Sequence, residues 1–519
     1  MAFSGWWSIA TLALALVGVR ILSSLIQSYR LERSMPPGPR GLPFIGNALQ
    51  LSTKLQFLQF DKWAERFGPI YSLNVLGQRI VVLNSFKHAA NLFEHRSNIY
   101  SDRPRLIMPE RFTGGYLLAT MPFGELWRKM RRATHEAFNP RAVEAYRSVQ
   151  EKHAASLGLK LIHDPHKWDS HIMHSVGASM VTIIYGPQKN VAARDAMVDC
   201  INDFVRRLSR ASAPGEYLVE AFPFLVHLPD FLAPWKRESR EWYKADTAMF
   251  VRYLDDIEES LKQGDVTREW SFGAYLVQDA DKLGLSTVES AWLTGMIFGA
   301  GVDTSAAMAM AFVLAMVLNS DVMKRGQAII DTAVGRDRIP TAADVDQLPY
   351  ITALVKETLR WRVSAPIGVP HRCIEDNWYN GYFIPKDTLV IGNSWGMNRD
   401  PVLFPDYDAF RPERFLDVDG QLTDLIPDTH GLGHLSFGAG KRICPGKDLA
   451  TQSLLINFAV MLWAFDFAQE TDEAGRPVAP SSMEFIDNVI TVRPARFKCL
   501  IRSRFPEVEH ILAAAAHDF

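Results

Sequence analysis

Cysteine is scarce in this chain: Cys200, Cys373, Cys444 and Cys499 are spread over 519 residues. So thin a set excludes a disulfide framework and fits a reducing compartment, where an unusual cysteine serves as a ligand or nucleophile. A charge excess is lacking too. The formal net charge is −2, far from the basic profile of a nucleic-acid-binding protein. With 48% hydrophobic and 22% charged residues, the composition excludes global disorder and supplies a large core. From residue 44 onward there is no second linker, repeat or low-complexity tract, so 44–519 reads as one large domain.

Charge is wholly absent from residues 1–19. The apolar run from Trp6 to Val19 resumes with Ile21, Leu22, Leu25 and Ile26. Gly5 to Tyr29 is long enough to cross a bilayer, which takes about 20 residues. Arg20 can snorkel to the interface, and Arg30 and Arg33 follow, which puts the rest of the chain on the cytosolic side. Trp6 and Trp7 suit the opposite interface. A cleaved signal peptide would need a small-residue cleavage site, and none follows the run. Residues 1–30 are therefore expected to form a single-pass membrane anchor. Residues 31–43 contain Met35-Pro36-Pro37-Gly38-Pro39-Arg40-Gly41-Leu42-Pro43, a stiff, non-helical hinge.

Within the large domain, Ile70–Leu76 and Arg79–Leu83 flank Gly77-Gln78 and read as a hairpin. Phe383–Ile384 and Thr388–Ile391 read as short strands, and most of the remainder as helix. Ser286-Thr287-Val288-Glu289 is a capping box that opens an apolar run reaching Leu318. Such a helix is a rod of roughly 50 Å. It is apolar on nearly all sides, so it is expected in the core. Asp303 and the small residues at its middle argue against a second membrane span. Residues 398–436, dense in Pro, Asp and Gly, form an expected functional loop.

The sharpest segment is Phe437-Gly438-Ala439-Gly440-Lys441-Arg442-Ile443-Cys444-Pro445-Gly446. It is a glycine-rich loop delivering a cysteine to the start of a helix, with Pro445 suited to the first turn. The helix dipole and unpaired amides there favour a thiolate. For Cys200, Cys373 and Cys499 the expectation is a small buried hydrophobe. The loop resembles the haem-binding signature of the cytochrome P-450 family, F-x-x-G-x-R-x-C-x-G, at every specified position. The resemblance implies that Cys444 is the axial ligand of haem b, that Phe437 packs near the sulfur and that Arg442 pairs a propionate. Thiolate ligation pushes electron density onto iron and favours O–O cleavage.

Other segments are similar to further motifs of that family. Ala300-Gly301-Val302-Asp303-Thr304-Ser305 resembles the oxygen-activation motif, with Asp303 and Thr304 as catalytic candidates for proton and oxygen handling. Glu357-Thr358-Leu359-Arg360, on an expected helix Pro349–Trp361, puts acid and base on one face. With Arg414 of Phe410-Arg411-Pro412-Glu413-Arg414-Phe415 it resembles a Glu–Arg–Arg structural network. Trp127 and Arg131, four apart on one helix face, and His371 fall where the family binds propionates, with Arg372 as a fallback. Lys386-Asp387-Thr388 departs slightly from the pattern, which more often has Gly where Asp387 stands.

The resemblance implies a mainly α fold with a small β region, haem between the long helix and the Cys444 loop, and insertion of one oxygen atom from dioxygen into a small hydrophobic substrate. It is closest in wording to fungal microsomal members of secondary metabolism acting on terpenoid or polyketide-like compounds. Electrons would come from NADPH through a membrane-bound P-450 reductase, with Lys129, Arg132, Lys441 and Lys447 as candidate docking residues. The implied location is the endoplasmic reticulum membrane, catalytic domain cytosolic. Expected pocket residues are Phe112, Phe298, Ala300, Ile367 and Val489. An isomerase or dehydratase of the same fold, which needs no external electrons, and a non-catalytic membrane haem-binding protein are the alternatives. The intact Asp303-Thr304 pair argues against both.

Overall fold

The structure is a computed structural model that describes residues 31–423 and 426–516, and Ala15, Val19 and Ser23 ahead of them. The expected anchor, residues 1–30, thus lies almost wholly outside the described residues. The hinge does not hang free. Pro36 and Pro37 carbonyls accept from the Ser72 hydroxyl (2.6 Å) and amide (2.9 Å), docking the proline run along the first strand.

Helices dominate. The longest spans Thr287–Leu318 and opens on the expected capping box: Ser286 accepts from the Glu289 amide at 3.3 Å, and Glu289 accepts from the Ser286 amide at 2.7 Å. It is buried along most of its length because helices Trp168–Tyr185, Pro234–Lys262 and Lys447–Ala464 pack around it. Phe312 stacks on Phe458 of the last of these, centroids 4.0 Å apart. A helix walled by protein on every side can be apolar all round without a membrane.

The β region is small. Ile70–Val75 and Gln78–Leu83 form the expected hairpin, closing at Val75 opposite Gln78. Gln78–Leu83 then pairs in parallel with Leu389–Gly392, which runs antiparallel to His371–Arg372. This sheet ties two distant parts of the chain together and carries His371 to the interior. A separate hairpin, Phe485–Asp487 with Val492–Pro494, packs against the central helix. Among its described residues, the loop 398–436 is built of turns and a short helical turn at Pro412–Phe415.

Candidate active site

Cys444 follows a single turn of tight helix, Gly440–Arg442, and its amide donates to the Phe437 carbonyl at 2.9 Å. The helix proper starts at Lys447, so Pro445 stands just outside it rather than in its first turn. Gly440 is indispensable to this loop. Its φ is +65°, and a Cβ there would lie 2.0 Å from the Phe93 carbonyl oxygen. Burial raises the Cys444 thiol pKa. The Gly446 amide, Arg131 and Lys447 pull the other way.

Cys444 opens onto a cavity of about 340 Å³ between its loop and the central helix, a size that suits a small ligand. Of the residues expected at the site, Trp127, Arg131, Ala300, Thr304, Ile367, His371, Phe437 and Arg442 line this cavity with it. The Thr304 hydroxyl donates back to the Ala300 carbonyl at 2.7 Å. Asp303, one step round the helix, does not line the cavity, and its carboxylate accepts from the Thr491 hydroxyl.

Three expected pocket residues lie elsewhere. Phe298 is two residues from Ala300, a turn of about 200° on a helix, and it is buried in the core. Phe112 packs edge-on to Tyr217 in a separate cluster with Ile107, Met108 and Val219. Val489 sits at a hairpin tip with φ +72° and 38% exposed. The cavity wall comes instead from Leu117, Leu118, Val176, Met180, Ile183 and Met296. Met180 and Ile183 sit in the second half of the Trp168–Tyr185 helix, where every residue from Ser175 on is buried, so sequence periodicity could not single out its cavity face. Gly301 gives room to that helix as well as to the cavity: a Cβ there would lie 2.6 Å from the Met180 terminal methyl. The remaining cysteines also divide. Cys373 and Cys499 are buried as expected, whereas Cys200 is exposed.

Sequence reasoning also missed Arg103. It is buried, borders the cavity, and donates to the carbonyls of Ala119 (2.9 Å), Val369 (2.5 Å) and Pro370 (3.0 Å). Burial and nearby Arg442 bring its pKa down to about 9. Arg442 donates to the carbonyls of Ser101 and Met121, each at 2.8 Å, lies 4.3 Å over the Trp127 ring, and is brought by burial to about 10. Burial lowers Arg131 too. The cavity lining holds these three guanidiniums and no carboxylate. Arg103 is buried and Arg131 and Arg442 are half-buried, and the one nearby carboxylate, Asp102, acts on Arg103 and Arg442 but is committed to Arg372. Cations drawn out of water with too few anions are costly, so the site calls for a ligand with more than one negative group. The two propionates of haem meet that need, beside a cysteine placed to ligate iron. The residues present fit the group.

His371 is stacked on Phe93, centroids 4.1 Å apart, and its Nδ1 bonds the Tyr100 carbonyl at 2.6 Å. A carbonyl cannot donate, so Nδ1 carries the proton. Burial, Arg103 and Arg442 hold the ring neutral, and Nε2 then presents a lone pair to the cavity. Arg103 is thus the better-suited carboxylate partner. Arg372 does not line this cavity: its guanidinium is held by Asp102 and Asp387.

Behind the loop, Arg360 forks onto Glu357 with two bonds of 2.7 Å, both side chains fully buried. Arg360 also donates to the carbonyls of Asn398 and Tyr407, and the Arg411 amide donates to Glu357. Arg414 completes the group with Nε 3.5 Å from Glu357.

The family model for cytochrome P450 matches residues 36–490. The chain belongs to the cytochrome P450 family. It is 46% identical over 503 residues to cytochrome P450 monooxygenase 58 of Postia placenta, covering 97% of this chain and 94% of that protein. It is 33% identical to cytochrome P450 monooxygenase iboC of Amanita muscaria, with 93% of each covered. A solved zebrafish cytochrome P450 bound to abiraterone shares the fold with TM-score 0.70 at 20% identity, covering 86% of this chain and 99% of that one. The chain is therefore a P450 monooxygenase, an oxidoreductase of a family that holds haem iron through a cysteine thiolate.

Proposed function

We propose that this P450 is a membrane-anchored enzyme of fungal secondary metabolism that hydroxylates or epoxidises a small hydrophobic substrate, of terpenoid or polyketide-like character, with electrons from NADPH delivered by a P450 reductase. The observation that carries the reading is the cavity itself: apolar walls, Cys444 on one side, Thr304 on the other and three arginines without acidic neighbours in the lining. When bound through Cys444, haem supplies dioxygen cleavage favoured by the electron-rich thiolate. Arg103, Arg131 and Arg442 would hold the propionates, and Trp127 and Phe437 would pack beside the ring system. Leu117, Met180, Ile183 and Ile367 bind and orient the substrate and keep bulk water out. Asp303 and Thr304 bring protons to the reacting oxygen.

The membrane assignment draws support from the uncharged N-terminus and from apolar side chains left in solvent, Phe44, Leu49, Phe224 and Phe231 among them. A cytosol-facing domain on the endoplasmic reticulum would meet its reductase there. Lys441 and Arg128 both lie over the Phe123 ring, at 5.5 and 5.9 Å, which makes the basic residues of the Cys444 loop and the 125–138 helix one patch. Lys129 and Lys447 are already paired with Glu125 and Asp448, so Lys441 is the stronger docking candidate.

Microsomes carrying the protein and a P450 reductase, supplied with a panel of apolar metabolites and read by mass spectrometry, test this. Expected are a red-shifted thiolate-type Soret band on reduction under carbon monoxide, and NADPH-dependent products heavier by one oxygen. Absence of that band overturns the reading. Product formation without NADPH would instead make the protein an isomerase or dehydratase of the same fold.

A further inference from the structure

Asp303 faces away from the cavity, yet the residue that follows it lines the cavity. Successive helical residues diverge by about 100°, so the carboxylate meets whatever packs beside that face of the helix. There it meets Thr491, whose hydroxyl donates to Asp303 Oδ2. Thr491 is the buried last residue of the turn in the 485–494 hairpin, next to the Asp487–Val492 pair that closes it. Its setting is rigid. The Thr491 carbonyl accepts from the Asn488 amide at 2.9 Å, and the next amide, Val492, donates to the Ser364 carbonyl at 2.7 Å. Ser364 itself lines the cavity. Across the strand pair, Asp487 accepts from the amides of Leu55 (2.7 Å) and Val489 (2.8 Å). The hairpin is thereby fastened to the cavity wall and to the Gln56–Phe67 helix. Its tip, Val489 and Ile490, reaches solvent.

We propose that Thr491 is a positioning residue for Asp303. Its hydroxyl fixes the carboxylate between the solvent-exposed hairpin tip and Thr304, and so sets the rate at which protons reach the cavity. This rests on the monooxygenase reading, in which Asp303 and Thr304 supply protons. The donor–acceptor sense matters. A carboxylate that accepts from Thr491 keeps its other oxygen for water or for a proton in transit. Valine has the shape of threonine without the hydroxyl, and serine keeps the hydroxyl.

The test uses the full-length, haem-loaded protein and the variants Thr491→Val, Thr491→Ser, Asp303→Asn and the double variant Thr491→Val/Asp303→Asn. The first readout needs no turnover: amide hydrogen exchange across 485–494. Thr491→Val and Asp303→Asn are each expected to speed exchange there, and the double variant to add nothing. The second is NADPH oxidation with reductase and dioxygen, in H₂O and D₂O. Thr491→Val keeps Asp303 but loosens it, so it is expected to lower the rate roughly tenfold, less than the cost of about a hundredfold or more on losing an acid–base group itself, and to raise the solvent isotope effect. Thr491→Ser is expected to restore both.

A purely structural tie would speed exchange and leave the rate and isotope effect alone, and that result overturns the proposal. So does a Thr491→Val enzyme indistinguishable from wild type, or rate losses in the two single variants that multiply in the double. Wild type lacking the thiolate-type band would sink the monooxygenase reading instead. A normal wild type with an indifferent Thr491→Val sinks only this inference.

Discussion

At the scale of single residues, the buried Glu357–Arg360 pair separates holding the fold from doing chemistry. Both side chains are out of solvent, and Glu357 also serves the Arg411 amide and Arg414. Removing one charge leaves the other uncompensated in the interior, a loss of about 3–5 kcal/mol. Glu357→Gln is therefore expected to lower the urea midpoint and the yield of haem-loaded protein together. Molecules that do load should keep a thiolate-type spectrum, because Cys444 is untouched. Cys444→Ala is expected to do the reverse: a folded chain by far-ultraviolet circular dichroism, with no thiolate-type band and no monooxygenase turnover. Retained turnover in that variant would contradict the assignment of the ligand. Both predictions come from motif positions, and the structure adds what spacing could not. It shows that the Arg360 fork is bidentate and that Arg372, the fallback propionate partner, is committed to Asp102 and Asp387.

Among the elements, the Cys444 loop and the hairpins show what glycine is for. Gly438 and Gly440 both have positive φ, +74° and +65°, but a Cβ at Gly438 would meet nothing within 4 Å, whereas at Gly440 it would strike the Phe93 carbonyl. Gly438→Ala should cost only the left-handed backbone penalty, about 1–2 kcal/mol. Gly440→Ala must also push the loop off the 90–95 segment. The expectation is a small fall in melting temperature for the first and loss of haem retention for the second. Equal effects would mean that the loop has slack that its packing does not suggest.

The elements readable in the sequence were those with a local cause: the capping box at Ser286, the helix Pro349–Trp361, and the hairpin, whose turn falls at Leu76-Gly77, one residue before the expected Gly77-Gln78. Asp387 was legible as a departure from glycine, and the structure supplies the reason it is tolerated. It adopts φ +63°, which aspartate accepts more readily than most residues, and it bonds Arg372. The pocket was less legible because facing is a tertiary property. Phe298 and Ala300 share an apolar helix, and only its packing decides which looks into the cavity. Arg103 carried no local signal, since its role depends on Ala119, Val369 and Pro370 converging from distant segments.

Across the whole molecule, burial of neutral histidines makes stability depend on pH. His434 and His153 are buried, and burial brings both pKa values down to about 3. Around His434 the nearest charges are Lys356 and Arg360, both positive, and they push the same way. Its Nδ1 accepts from the Ser436 amide at 3.2 Å, so Nε2 carries the hydrogen and finds no acceptor among the described residues. In the unfolded chain each histidine takes up a proton near its ordinary value of about 6.5. The folded state takes it up only near 3. Between those values the unfolded state binds more protons, so stability falls as pH falls, by about 1.4 kcal/mol per pH unit for each histidine. Asp246 works against this. Burial raises its carboxyl to about 6 despite the Arg207 ion pair, so from there down to its unfolded value the folded state gains a proton first and stability rises as pH falls. Burial also lowers His88, His171 and His371, which act with these two, and raises Asp61 and Glu220, which act with Asp246. The histidines, whose ordinary value lies inside the window, outweigh the carboxyls, and the protein should weaken on acidification from pH 7 to 5. Substituting His434 with Phe isolates one contribution. The loss of unfolding free energy between pH 7 and 5 should shrink by about 2 kcal/mol relative to wild type, measured by urea titration at both pH values. An unchanged difference would mean that His434 becomes protonated in the folded state well above pH 5, which would require an acceptor for its Nε2 that the packing around Lys356 and Arg360 does not offer.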